Sequence, residues 1–109
     1  MKYVFDIDGT ICCKNQEDDY EDSTPFQSRI EIINTLYDEG NHITYFTARG
    51  MGRYDNNQLA AIQRFYSVTE RQLHSWGAKY HNLVLGKPSA DIYVDDKGIK
   101  DEDFFDTRN

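Results

Sequence analysis

Short apolar runs with strand character recur along this chain, and each stops on a polar residue able to do chemistry. Lys2 to Ile7 (KYVFDI) is β-branched and aromatic and runs straight into Asp6-Ile7-Asp8-Gly9. His42 to Thr47 ends on Thr47, Leu83-Val84-Leu85 is followed by Gly86-Lys87-Pro88, and Ile92-Tyr93-Val94 ends on Asp95-Asp96. These runs read as four strands. Between them lie segments with helical periodicity. Thr24-Pro25-Phe26-Gln27 reads as a capping box with Thr24 as N-cap. Phe26, Ile30, Ile33 and Tyr37 follow on one face, and Gly40 stands where the helix should end. Residues 56–66 carry Leu59, Ile62 and Phe65, and Thr69 opens a further capping box leading to Leu73 and Trp76.

Strands that alternate with helices predict a parallel sheet with right-handed crossovers. Such a sheet binds its ligand beyond the carboxyl ends of its strands. The residues at those ends are therefore the candidates for function, and here they are distant in sequence and polar. A length of 109 residues allows one domain over residues 1–109, with no linker and no repeat in it. Residues 11–23 read as a flap-like polar loop, its acidic run from Glu17 to Asp22 facing solvent. Residues 97–109 read as a C-terminal tail that either docks through Phe104 and Phe105 or frays.

Twelve Lys and Arg against nineteen Asp and Glu leave a formal charge of −7. That balance argues against a nucleic-acid backbone or an anionic membrane as partner, since both need basic patches. It leaves an anionic substrate open, because a bound cation can invert the local field. No apolar stretch approaches the roughly 20 residues of a membrane span. Met-Lys-Tyr-Val-Phe followed at once by acids does not read as a signal peptide. The only cysteines, Cys12 and Cys13, are neighbours and cannot staple distant segments. They are expected to be reduced thiols in a cytoplasmic protein, with no chemical role. His42, His74 and His81 share no metal-ligand spacing.

Four acids at one rim, Asp6, Asp8, Asp95 and Asp96, suit a hard cation held by oxygen, and Mg²⁺ characteristically brings substrate phosphate with it. Lys87 supplies positive charge and Thr47 a hydroxyl donor, as a transferring phosphoryl group needs. A carboxylate can attack phosphorus to give an aspartyl-phosphate, and its neighbour can move the protons. Ile7 and Gly9 can offer backbone N–H groups to phosphate oxygens in the turn. Arg49, two residues past Thr47, is placed either at a substrate anion or on the surface.

Asp6-Ile7-Asp8-Gly9-Thr10 resembles the first motif of the haloacid dehalogenase-like superfamily of phosphatases. Thr47 resembles the second motif, Lys87 the third, and Asp95-Asp96 the fourth. The resemblance implies a Rossmann-like three-layer α/β/α fold, with Asp6 as nucleophile and Asp8 as general acid/base. Thr47 and Lys87 would bind the phosphoryl group. Mg²⁺ would be held by Asp6, the Asp8 carbonyl and Asp95, with Asp96 contributing directly or through water. Two departures stand out: only seven residues separate Lys87 from Asp95, and no stretch is long enough for a cap domain. The chain is thus similar to the small capless members. Their open sites take large substrates or are covered by a neighbouring subunit, and some are linked to capsule or surface-polysaccharide synthesis.

The expectation is a Mg²⁺-dependent phosphatase of a sugar phosphate or other small phosphorylated metabolite, with a homo-oligomer covering the site. A phosphotransferase using the same residues and a non-catalytic phospholigand-binding protein are the alternatives.

Overall fold

In a computed structural model of the chain, residues 1–14 and 20–107 are described. The first strand, β1, is Lys2–Phe5; α1 is Gln27–Asp38; β2 is His42–Thr47; α2 is Gln58–Ser75; β3 is Asn82–Leu85; and α3 is Asp101–Asp106. The three strands form one parallel sheet in the order β1-β2-β3. Each crossover carries one long helix, as parallel pairing requires.

Strand register explains where the core sits. Phe5 pairs with Tyr45 and Tyr45 with Leu83, and side chains two apart share a face. Tyr3, Phe5, Ile43, Tyr45, Leu83 and Leu85 therefore line one side of the sheet. That side joins Ile30 and Ile33 of α1, Phe65 and Leu73 of α2, and Phe104 and Phe105 of α3 in one cluster. Each of these aliphatic side chains contributes about 1.5–3 kcal/mol on full burial. Successive right-handed crossovers in one direction leave α1 and α2 on the same face. The opposite face, with Val4 at 65% and Val84 at 42% exposure, is open. Of the two helical layers expected, the described chain supplies one.

The helices also differ locally from expectation. α1 starts at Gln27 rather than at a Thr24 cap, with Phe26 in the cap position and no side-chain cap bond. Thr24 and Pro25 are instead extended: Cys13 N–H donates to the Thr24 carbonyl, Phe26 N–H to the Ile11 carbonyl, and Cys12 bridges Pro25. Pairing in the tertiary structure outweighs the local capping preference. The two helices expected over 56–76 are one helix, Gln58–Ser75, capped by Asn57. Thr69 is thus a buried mid-helix residue. α1 closes as expected, with Gly40 at a φ of 95°. The tail docks: Phe104 and Phe105 are buried, Phe5 lies 5.4 Å from Phe104, and Arg29 pairs with Asp101 at 2.7 Å.

The fourth strand does not form. Ile92–Val94 lies in an irregular segment, and every residue from Pro88 to Lys100 is exposed. Its apolar triplet has strand composition but finds no neighbouring strand among the described residues. Glu17 to Asp19, part of the acidic run, lie outside the described residues; Tyr20–Asp22 forms a single 3₁₀ turn.

Candidate active site at the carboxyl ends of the strands

β1 leads directly into Asp6, and the chain then turns tightly. The Ile7 carbonyl accepts from Thr10 and Ile11 N–H. Gly9 sits at a φ of 83°, a left-handed conformation that favours glycine. The turn presents Asp6 at the rim, where Lys87 Nζ lies 3.5 Å from its carboxylate. Lys87 reaches this point because it follows β3 at once: its N–H donates to the Thr47 carbonyl, binding the ends of β2 and β3 together. Asp6, Thr47 and Lys87 thereby come to the same edge of the sheet.

Burial pushes the Asp6 carboxyl above its ordinary value of 3.8; Lys87 and the Ile7 N–H pull it back, and Asp8 pushes it further up. Both the nearby cation and the 2.8 Å hydrogen bond from Ile7 N–H favour the carboxylate.

Asp8 has a different partner. Arg49 Nε donates to one Asp8 oxygen at 2.9 Å and Nη2 to the other at 3.0 Å, a bidentate pair. Arg49 is only 1% exposed. Its Nη1 donates to Thr69 Oγ1 at 3.3 Å, and its guanidinium lies 4.8 Å from the centre of the Tyr20 ring. Tyr20 is held in turn by a hydrogen bond from Gly50 N–H to its hydroxyl. A Cβ at Gly50 would strike the Phe65 ring at 2.6 Å, so this loop must be glycine to pack there.

Arg49, one of whose expected positions was at a substrate anion, is therefore buried and clamps Asp8. The two backbone donors expected at phosphate oxygens also have partners within the chain. The Ile7 N–H is taken by the Asp6 carboxylate and the Gly9 N–H by the Cys12 carbonyl at 2.8 Å. Nothing in the sequence marked the Arg49 cage. Its members, Cys12, Tyr20 and Thr69, come from three separate segments and form no pattern along the chain.

Cys12 is inert in this setting. Burial, with Asp8 alongside, pushes its thiol up to about 12, and the thiol lies 3.5 Å from an Asp8 oxygen. Neither cysteine is in a disulfide.

Asp95 and Asp96 stand apart from this edge. Asp95 is fully exposed, and its carboxylate caps its own turn by accepting from Lys97 and Gly98 N–H at 2.7 and 2.6 Å. Those two bonds hold its pKa below the ordinary value. Among the described residues no three His, Cys, Asp or Glu side chains gather as a cation site. The four acids expected around one point are split two and two. Mg²⁺ binds through one or two carboxylates together with waters and substrate phosphate, so Asp6 at the rim is the side chain that would hold it, while Asp8 is engaged by Arg49.

No family model and no curated protein matches this chain. Solved structures do. A protein from Vibrio cholerae is similar over 94% of this chain and 85% of its own, with a TM-score of 0.86 and 26% identity. The fold is haloacid dehalogenase-like. It is a Rossmann-type parallel α/β fold with no cap domain among the described residues, and more distant likenesses agree with it. A D,D-heptose 1,7-bisphosphate phosphatase from B. bronchiseptica, complexed with magnesium and phosphate, gives a TM-score of 0.53 at 13% identity. That match covers 83% of this chain and 51% of the other. The Pnkp1/Rnl/Hen1 complex gives 0.56 at 19% identity, covering 86% of this chain and 30% of that one. The chain thus spans about a third to a half of these two larger proteins.

Proposed function

We propose that this chain is a phosphomonoesterase that works through an aspartyl-phosphate on Asp6. The single observation behind the reading is Asp6 itself: a carboxylate at the carboxyl end of β1, 3.5 Å from the Lys87 ammonium. An Asp6 oxygen attacks phosphorus, the ester P–O bond breaks, and the leaving oxygen departs with its electron pair. Lys87 offsets charge on the phosphoryl oxygens and orients the nucleophile. The Thr47 hydroxyl, at the end of the neighbouring strand, is the second phosphoryl contact. Water then cleaves the acyl phosphate, releasing inorganic phosphate and restoring Asp6.

Asp8 is the proton carrier in this reading: it protonates the leaving oxygen and later takes a proton from the attacking water. Its bidentate pair with Arg49 sets a condition on that role, because a carboxylate must release one Arg49 donor before it can hand a proton on. Dependence on Mg²⁺ belongs to the reading, supported by the metal in the distant phosphatase of the same fold. Asp6 would hold the ion together with substrate phosphate, and the bound cation would offset charge on the phosphoryl oxygens. The substrate class is a sugar phosphate or similar small phosphorylated metabolite, in the setting of surface-polysaccharide synthesis. The absence of a cap among the described residues and the resemblance of the motifs support that choice.

The test is phosphate release from a panel of phosphorylated sugars and small metabolites with Mg²⁺ present. Wild type turns over at least one, EDTA abolishes the turnover, and Asp6→Asn lowers it by about a thousandfold or more. Near-wild-type turnover by Asp6→Asn rules out the covalent route.

A further inference from the structure

Among the described residues the outer edge of β1 carries no strand, since β1 ends the order β1-β2-β3. Such an edge is a row of unpaired backbone donors and acceptors, ready to take one more strand. The same chain carries a segment of strand composition that lies outside the sheet. Ile92, Tyr93 and Val94 are 77%, 52% and 90% exposed. The arm they belong to makes only sparse contacts: Ser89 N–H to Asn56 Oδ1, the Tyr93 hydroxyl to the Pro88 carbonyl, and Lys87 over the Tyr93 ring. Its far end is fixed by the Arg29–Asp101 pair and by Phe104 and Phe105.

The arm cannot deliver its acids to its own rim on a strand. Between Leu85 and Ile92 lie residues 86 to 91, six in all. A parallel return across the sheet takes a crossover of about a dozen residues or more. Antiparallel addition to β1 needs less chain, but it would set Asp95 at the Lys2 end of β1, remote from Asp6. A second copy removes this restriction, since its arm can approach the edge from outside in either direction.

We propose that two copies of this chain exchange their arms. Ile92–Val94 of each adds in parallel to the outer edge of the other's β1, so that Asp95 and Asp96 complete the acid cluster beside the other copy's Asp6. Asp95 is the first residue past the arm strand and Asp6 the first past β1. With those two level, Tyr93 stands opposite Val4. The occupant is a copy of this chain because the free edge and the strand-forming segment occur together once in each. Their reciprocal use closes after two copies. The open face of the sheet, with exposed Val4 and Val84, lies next to the same edge and gains cover from the same partner. The exchange rests on strand geometry alone, whereas the part played by Asp95 rests on the phosphatase reading above.

Three measurements test the two parts separately. In sedimentation, wild type runs at twice the 12.8 kDa of one chain; a monomer at micromolar concentration overturns the exchange. For the contact itself, Val4→Cys chains are refolded together with Tyr93→Cys chains and oxidised. A disulfide-linked dimer that neither variant forms alone is expected, and its absence overturns the parallel register. For the acids, Asp6→Asn and Asp95→Asn are each inactive. Refolded together they regain about a quarter of wild-type turnover, since half of the random pairs are mixed and one of their two sites holds both acids. An active wild type whose variants do not complement overturns the role of Asp95 in the partner's site. A wild type inactive on every phosphate ester, yet dimeric and cross-linked, overturns the phosphatase reading and leaves the exchange standing.

Discussion

At the scale of single residues, the Asp6–Lys87 pair decides when the nucleophile is available. Only the ionised carboxylate attacks, and Asp6 ionises above its ordinary value of 3.8 because burial outweighs the help of Lys87. The acid limb of kcat/KM therefore falls at a higher pH than for a solvated aspartate. Lys87 pulls the Asp6 pKa down, so Lys87→Met moves that limb to still higher pH while lowering the plateau. A pH–rate profile checks this; an unmoved limb means that Lys87 does not act on Asp6. The same shift bears on stability with the opposite sign. A carboxyl raised in the folded state contributes stability below its unfolded pKa, and that contribution is lost as the pH rises through the folded one. At neutral pH the ionised Asp6 costs stability, a common trade at a reacting group.

At the scale of elements, Arg49 joins parts that the backbone leaves separate. One buried guanidinium binds the β1 turn through Asp8, α2 through Thr69, and the polar loop through the Tyr20 ring. Removing one member of such a pair leaves the other charge uncompensated. Arg49→Met is expected to lower unfolding stability by about 3 kcal/mol, read from urea titration. Arg49→Lys recovers only part of it, because an ammonium cannot present the planar fork. A midpoint equal to wild type for Arg49→Met shows that the clamp carries no stability. The elements also show how far the sequence could be read. β2 and the α1 face of Ile30 and Ile33 followed from periodicity, because burial on one side of a regular element repeats along the chain. The single long α2 did not, since Thr69 carries a local capping signal that its contact with Arg49 overrides.

At the scale of the whole molecule, one chain is an open sheet with helices on one face, a free edge at β1 and an unpaired arm. The net charge of −7 is not gathered at one point within it: Asp6 and Asp8 lie at the rim, Asp95 and Asp96 on the exposed arm. Arm exchange makes folding and association one equilibrium, so the thermal midpoint of the wild type should rise with protein concentration over about a hundredfold range. A midpoint independent of concentration over that range opposes the exchange. Among the described residues no helix is long and apolar enough to cross a membrane. The sequence by itself determined the order of strands and helices, the parallel sheet, and the polar residues that close each strand run. These are properties of spacing and local composition. Only the tertiary structure decided that Arg49 turns inward to Asp8, that α2 runs unbroken through Thr69, and that Ile92–Val94 leaves the sheet. Each of these depends on which distant segment reaches a residue first. For the arm, six connecting residues are too few for a parallel return, a limit set by the geometry of the sheet rather than by the strand character of the residues.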